Sequence, residues 1–183
     1  AELRLVDACP FSNPAHFYHT ARRIAEEAPE KFWWANQFEN LSNTRAHFTK
    51  TGPELYEQCQ GKIDAVVSVA GTGGTIGGVS SYLKARLSEL TVILVDPQGS
   101  GLCSYFHTGE FKTSGESFTE GIGVMRLVAN FAQCKIDGAI TLPDNDAVTV
   151  AEHVRKNDGI VLGSSSALNL AGALRVAAGV GPG

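Results

Sequence analysis

The chain has 183 residues, 43% hydrophobic and 19% charged, with a formal net charge of -4. That length suits one large domain, or one and a fraction, with a core of its own. The mild acidity, with no basic cluster interleaved with aromatic residues, gives no reason to expect nucleic acid or an anionic membrane as partner. No signal peptide or membrane-spanning run is visible, so a cytoplasmic protein is expected. Cys9, Cys59, Cys103 and Cys134 lie far apart with no Cys-x-x-Cys pair, and no two histidines have His-x-x-x-His spacing. No metal and no dithiol redox site is expected; the thiols read as scattered and reduced. The one deviation is glycine, 20 of 183 residues or about 11%, against a usual share of about 7%. The glycines gather at 71–78, 99–101, 121–123 and 159–163, where the backbone must approach something closely.

In chain order, Leu3–Ala8 alternates and reads as a strand. Asn13-Pro14 has the form of a helix start and predicts a helix over 16–28, ended by Pro29. Phe32–Ala35 reads as a short buried strand closing in Asn36-Gln37. A short helix is predicted over 44–49, and Thr51-Gly52-Pro53-Glu54 opens another that stops at Gly61. Ile63–Ala70 is the clearest strand, its near-continuous apolar run fitting a parallel strand covered on both faces. A glycine loop follows, then a helix over 76–87, a strand over 91–95, an irregular glycine-rich region and a strand over 139–142. Asp144 or Asn145 caps a helix over 147–156, Ile160–Leu162 reads as another strand, and Gly163–Ser166 leads into a helix over 167–178. The alternation predicts an α/β fold with an open, mostly parallel sheet in three layers. Both ends read as cut: Ala1 runs at once into a strand pattern, and 179–183 read as a loop leading elsewhere. A fragment of a longer protein is the expectation.

Gly71-Thr72-Gly73-Gly74-Thr75 stands at the carboxyl end of a predicted parallel strand and opens a helix. Open α/β sheets bind their ligands there. Unpaired N–H groups and the positive end of the helix dipole face outward, and two threonines add hydroxyls. The arrangement suits a phosphate. A Walker A loop would need lysine where Val79 stands, and a dinucleotide fingerprint would need glycine where Ile76 stands. A dinucleotide in a missed register and a plain tight turn remain as alternative readings of the loop alone.

Beyond this loop the chain resembles the cysteine synthase and cystathionine β-synthase family, the fold type II pyridoxal-phosphate (PLP) enzymes. Five further landmarks fall in the family's order: Ala35–Asn40, Thr51–Leu55, Asp96-Pro97-x-Gly-Ser, Glu120–Gly123, and Leu162–Ser166 before a small-residue helix. The resemblance covers essentially the whole chain. It implies PLP as cofactor, its phosphate on Gly71, Thr72, Gly73, Gly74 and Thr75 and its pyridine nitrogen on Ser165. It implies substrate contacts from Gln37, Gly121, Ile122 and Gly123. It places 1–40 at the end of a smaller domain and 41–183 in the larger, cofactor-binding one. The implied activity is β-replacement on O-acetyl-L-serine by sulfide, with an amino-acid substrate, sulfide and a homodimer as partners. Cystathionine β-synthase or serine/threonine dehydratase activity and a non-catalytic paralogue or binding subunit are the alternatives. Ala167 departs from the glycine often found after the serines. The family's Schiff-base lysine is expected upstream of Ala1, so no catalytic residue is assigned within the chain and the chain alone is expected not to turn over.

Overall fold

The computed structural model describes residues 2–180. Three parallel strands form its sheet in the order β1 (Ala65–Val69), β2 (Thr91–Pro97), β3 (Gly138–Leu142). Val66 pairs with Val92 and Val69 with Val95, while Ile93 pairs with Gly138 and Pro97 with Leu142. Side chains alternate across a strand, and β2, in the middle, shows the consequence. Val92 and Leu94 enter one core with Ile76, Val79, Leu83, Leu102 and Phe131. Val95 enters a second core with Leu142, Ala147, Ala167, Leu168 and Ala171. The first core is roofed by α4 (Gly74–Lys84) and α5 (Leu102–Thr108), the second by α6 (Asp144–Asn157) and α7 (Ser164–Val180). The fold is therefore α/β in three layers, as the element order predicts. Residues 181–183, read as part of a trailing loop, lie outside the described residues, and α7 extends two residues past its predicted end.

Three predicted strands are absent. Leu3–Ala8, Phe32–Ala35 and Ile160–Leu162 are irregular, with Leu5 86%, Trp33 81% and Val161 80% exposed. Alternation and apolarity report a preference for a covered, pleated surface. A strand also needs a neighbour to take its N–H and C=O groups, and among the described residues none runs beside these segments.

The helices shift at their starts. α1 (Phe17–Glu27) is capped by His16, whose Nδ1 accepts from the Tyr18 N–H at 3.2 Å. Asn13 instead closes the preceding turn through the Ala15 N–H at 2.9 Å. The two helices predicted on either side of residue 50 are one continuous rod: α2 (Ser42–Ala46), a π-helical turn over His47–Thr51, then α3 (Gly52–Gln58). Pro53 accounts for the turn. It has no N–H for the Thr49 carbonyl and its ring would crowd it; the Gly52 N–H reaches back five residues to the His47 carbonyl instead.

One buried amide locks this rod to the chain before it. Asn130 is fully buried. Its Oδ1 accepts from the Thr44 hydroxyl at 2.7 Å and the Thr44 N–H at 3.1 Å. Its Nδ2 donates to the carbonyls of Gln37, Phe38 and Asn40 at 2.9, 2.8 and 3.2 Å. Beside it, Glu39 bonds Arg126 at 2.6 Å and the Ala129 N–H at 2.8 Å. Burial pushes the Glu39 carboxyl up, but these two donors outweigh it and hold it below its usual range.

Candidate active site at the carboxyl end of the sheet

β1 ends at Val69, and α4 begins five residues later at Gly74. The reversal turns on Gly73, which has φ +83° and precedes the first helical turn in the left-handed conformation. The first α-helical bond of α4 runs from the Gly77 N–H to the Gly73 carbonyl at 2.8 Å. The N–H groups of residues 74–76 thus have no partner four residues back. The first turn carries no acidic side chain, which would compete with an anion for those groups. Gly71 is needed for close approach: a methyl group there would overlap the carbonyl oxygen of Gly121.

That contact brings a second predicted segment to the loop. The Gly123 N–H donates to the Ala70 carbonyl at 2.7 Å, so Gly121–Gly123 lies directly against Gly71. Gly121 and Gly123 have φ +77° and +79°. Ser165 comes to the same end of the sheet through α7. The Val69 N–H donates to Asn169 Oδ1 at 2.8 Å, and Asn169 Nδ2 donates to the Ser165 carbonyl at 3.0 Å. The serine run is the first turn of α7 rather than a loop before it. Ala167 is buried in the second core, so its methyl group is absorbed by packing.

Gln37 reaches the site by its backbone. Its carbonyl accepts from Asn43 Nδ2 at 2.9 Å, and the same nitrogen donates to Thr72 Oγ1 at 3.0 Å. The Gln37 side chain is exposed, projecting from a turn that Asn36 enters with φ +45°. All of the predicted positions, Gly71–Thr75, Ser165, Gln37 and Gly121–Gly123, therefore gather at one end of the sheet.

Sequence reading missed the residues that hold them there. Asn43, Asn130 and Asn169 each bond across long stretches of chain, which no local pattern records. His47 did have a signal: Asn43, His47 and Thr51 repeat at helical spacing on one face. No lysine sits on the loop. Lys84, at the far end of α4, is taken by Asp137 at 2.7 Å and the Leu90 carbonyl at 3.1 Å. Cys134 closes the loop from below, its thiol donating to the Gly73 carbonyl at 3.7 Å and pushed up to about 12 by burial. Among the described residues no group of three or more His, Cys, Asp or Glu could hold a metal ion. No described helix is long and apolar enough to cross a membrane.

Asp96, the last residue but one of β2, lies beside this site, fully buried. One carboxylate oxygen accepts from the Cys103 N–H at 2.8 Å, and the other has no partner. Burial pushes its carboxyl above the usual range, although bonds from Ser100, Cys103 and Leu102 draw it back. A carboxyl raised in the fold favours folding most below its unfolded value of about 3.9, and that contribution disappears as pH rises through the folded value. Asp96→Asn can keep the acceptor for Cys103. Its stability relative to the parent is expected to improve between pH 4 and pH 7, read from urea midpoints; a constant difference would count against the buried charge.

The donor set fits a phosphate: the N–H groups of Thr75 and Ile76, two hydroxyls, a helix N-terminus and no carboxylate in the first turn,. Comparison with known proteins agrees with that chemistry. Cysteine synthase 2 of Schizosaccharomyces pombe is 41% identical over 202 residues, covering 100% of this chain and 51% of that protein. Cysteine synthase 1 of Neurospora crassa is 41% identical over 188 residues, covering 100% of this chain and 50% of that protein. The chain spans about half the length of the curated relatives it matches. The crystal structure of the O-acetylserine dependent cystathionine β-synthase of Helicobacter pylori superimposes with a TM-score of 0.75 at 29% identity, covering 88% of this chain and 51% of that one. The family profile described as pyridoxal-phosphate dependent enzyme matches residues 1–183, and the chain belongs to that family.

Proposed function

We propose that the protein carrying this chain is a PLP-dependent cysteine synthase that replaces the acetoxy group of O-acetyl-L-serine with sulfide. The observation that supports this best is the meeting of Gly71–Thr75, Gly121–Gly123, Gln37 and the first turn of α7 at one end of the sheet, in a chain 41% identical to cysteine synthases. When bound, PLP supplies the electron sink for the β-carbon chemistry.

In this reading Gly71–Thr75 holds the phosphate. Ser165, whose backbone is tied to β1 through Asn169, meets the pyridine nitrogen with a neutral hydroxyl. Gln37 meets the substrate carboxylate from a backbone fixed by Asn43 and Asn130. Gly121–Gly123 keeps bulk away from the space above the loop. Residues 1–40 complete a smaller domain and 41–183 belong to the larger one. The lysine that binds the cofactor comes from outside the chain, and the whole protein works in the cytoplasm as a homodimer.

A second reading, cystathionine β-synthase activity, draws on the Helicobacter pylori structure. The two separate by acceptor. With O-acetyl-L-serine, the full protein is expected to use sulfide at least tenfold better than homocysteine by kcat/KM. The reverse preference would favour the second reading, and no turnover with either would favour a non-catalytic binding subunit. The 183-residue chain alone is expected to show no cysteine formation.

A further inference from the structure

Asn43, His47 and Thr51 present one face of the helical rod to the phosphate loop. Asn43 Nδ2 donates both to the Gln37 carbonyl at 2.9 Å and to Thr72 Oγ1 at 3.0 Å. Gln37 decides which way this amide points, because a carbonyl can only accept; the nitrogen must face it, and its second hydrogen reaches Thr72. The Gly74 N–H approaches the same Thr72 oxygen at 3.4 Å. A hydroxyl has two lone pairs and one proton. With both lone pairs of Thr72 engaged from within the protein, the group left to face a ligand is its proton.

His47 poses the same question at Thr75. Its Nε2 lies 3.2 Å from Thr75 Oγ1 and its Nδ1 lies 2.9 Å from Thr51 Oγ1. If the ring carries its proton on Nδ1, Thr75 donates inward to Nε2 and turns only lone pairs outward, which repel an anion. If the proton is on Nε2, Thr51 donates to Nδ1, Thr75 accepts from Nε2, and the Thr75 proton is free to face outward.

We propose that Asn43 and His47 are positioning residues that set the hydroxyls of Thr72 and Thr75 as outward donors, and that an anion on the loop selects the Nε2–H tautomer of His47. This rests on the reading of Gly71–Thr75 as a phosphate site. The rod thus does more than support the loop: it fixes the sign of the ligand the loop accepts.

The test uses the full protein and two probes that differ by one group, PLP and phosphate-free pyridoxal. The parent is expected to bind PLP more tightly than pyridoxal. Asn43→Ala and His47→Ala are each expected to lose about tenfold in PLP affinity, the scale of one charge-assisted hydrogen bond, with pyridoxal affinity unchanged. His47→Gln, which can donate from near the Nε2 position, is expected to recover most of that loss. Nitrogen-15 resonances of the His47 ring should move to the Nε2–H pattern when inorganic phosphate is added. If the parent does not prefer PLP, the phosphate reading fails and the inference falls with it. If the parent prefers PLP and both alanine variants keep that preference, or lose both ligands equally, the positioning role alone is overturned. A His47 tautomer unmoved by phosphate overturns the selection.

Discussion

Gly73→Ala is expected to destabilise the fold by about 2–5 kcal/mol, the sum of a left-handed non-glycine residue and an overpacked contact. Gly73 has φ +83°, and an added methyl carbon would lie 2.5 Å from the Phe131 Cα and 2.7 Å from its N and Cβ. Two of those three atoms are backbone, so no rotamer change relieves the clash. Phe131 follows Asn130 directly, and any retreat moves the amide that holds the 37–40 turn. Gly121→Ala is the matched comparison. Its φ is +77°, but nothing lies within 4 Å of the added carbon. Only the conformational term applies there, about 1–2 kcal/mol. Urea midpoints at constant m-value measure both, and equal losses in the two variants would show that the Phe131 contact contributes nothing.

Asn130→Ala is expected to cost about 2–4 kcal/mol, because the buried Thr44 N–H and hydroxyl lose their acceptor together, while the Gln37, Phe38 and Asn40 carbonyls each lose one donor and keep another. A buried group left unsatisfied costs about 1–3 kcal/mol, and local relaxation recovers part of the sum. Asn40→Ala is the control. Asn40 also bridges two backbone groups, the Ala35 carbonyl at 3.2 Å and the Ser42 N–H at 3.0 Å, but both bonds are exposed to water. Its loss is expected to be about 1 kcal/mol. A loss at Asn130 no larger than that at Asn40 would mean that the 37–40 turn is held by something else.

How much of this was legible in the sequence follows from where each signal resides. The strand β1, the loop Gly71–Thr75 and the helix α4 lie within about twenty consecutive residues, and their glycines, threonines and apolar runs state the structure locally. The strands β2 and β3 and the helix α6 are similarly self-contained. Leu3–Ala8 and Ile160–Leu162 show the limit, since a strand pattern is half of a pairing and the other half is not written beside it. Asn130 shows the limit for the site: it lies 86 residues from Thr44, in a stretch with no periodicity. The helix break predicted before Pro53 failed for a different reason. Proline removes one helical bond, and a wider turn can absorb that loss without ending the rod.

That wider turn has a bearing on how such a chain can change over generations. A π-helical turn is an α-helix holding one surplus residue. Deleting one residue from His47–Thr51 would remove that surplus and leave the two halves facing much as they do now, but it would return Pro53 to an ordinary helical turn, where its ring meets the carbonyl four residues back. The rod would then kink or break at Pro53, parting α3 from the half that carries Asn43 and His47. A single-codon loss is thus costly here, because the surplus residue is what lets the rod run past its proline.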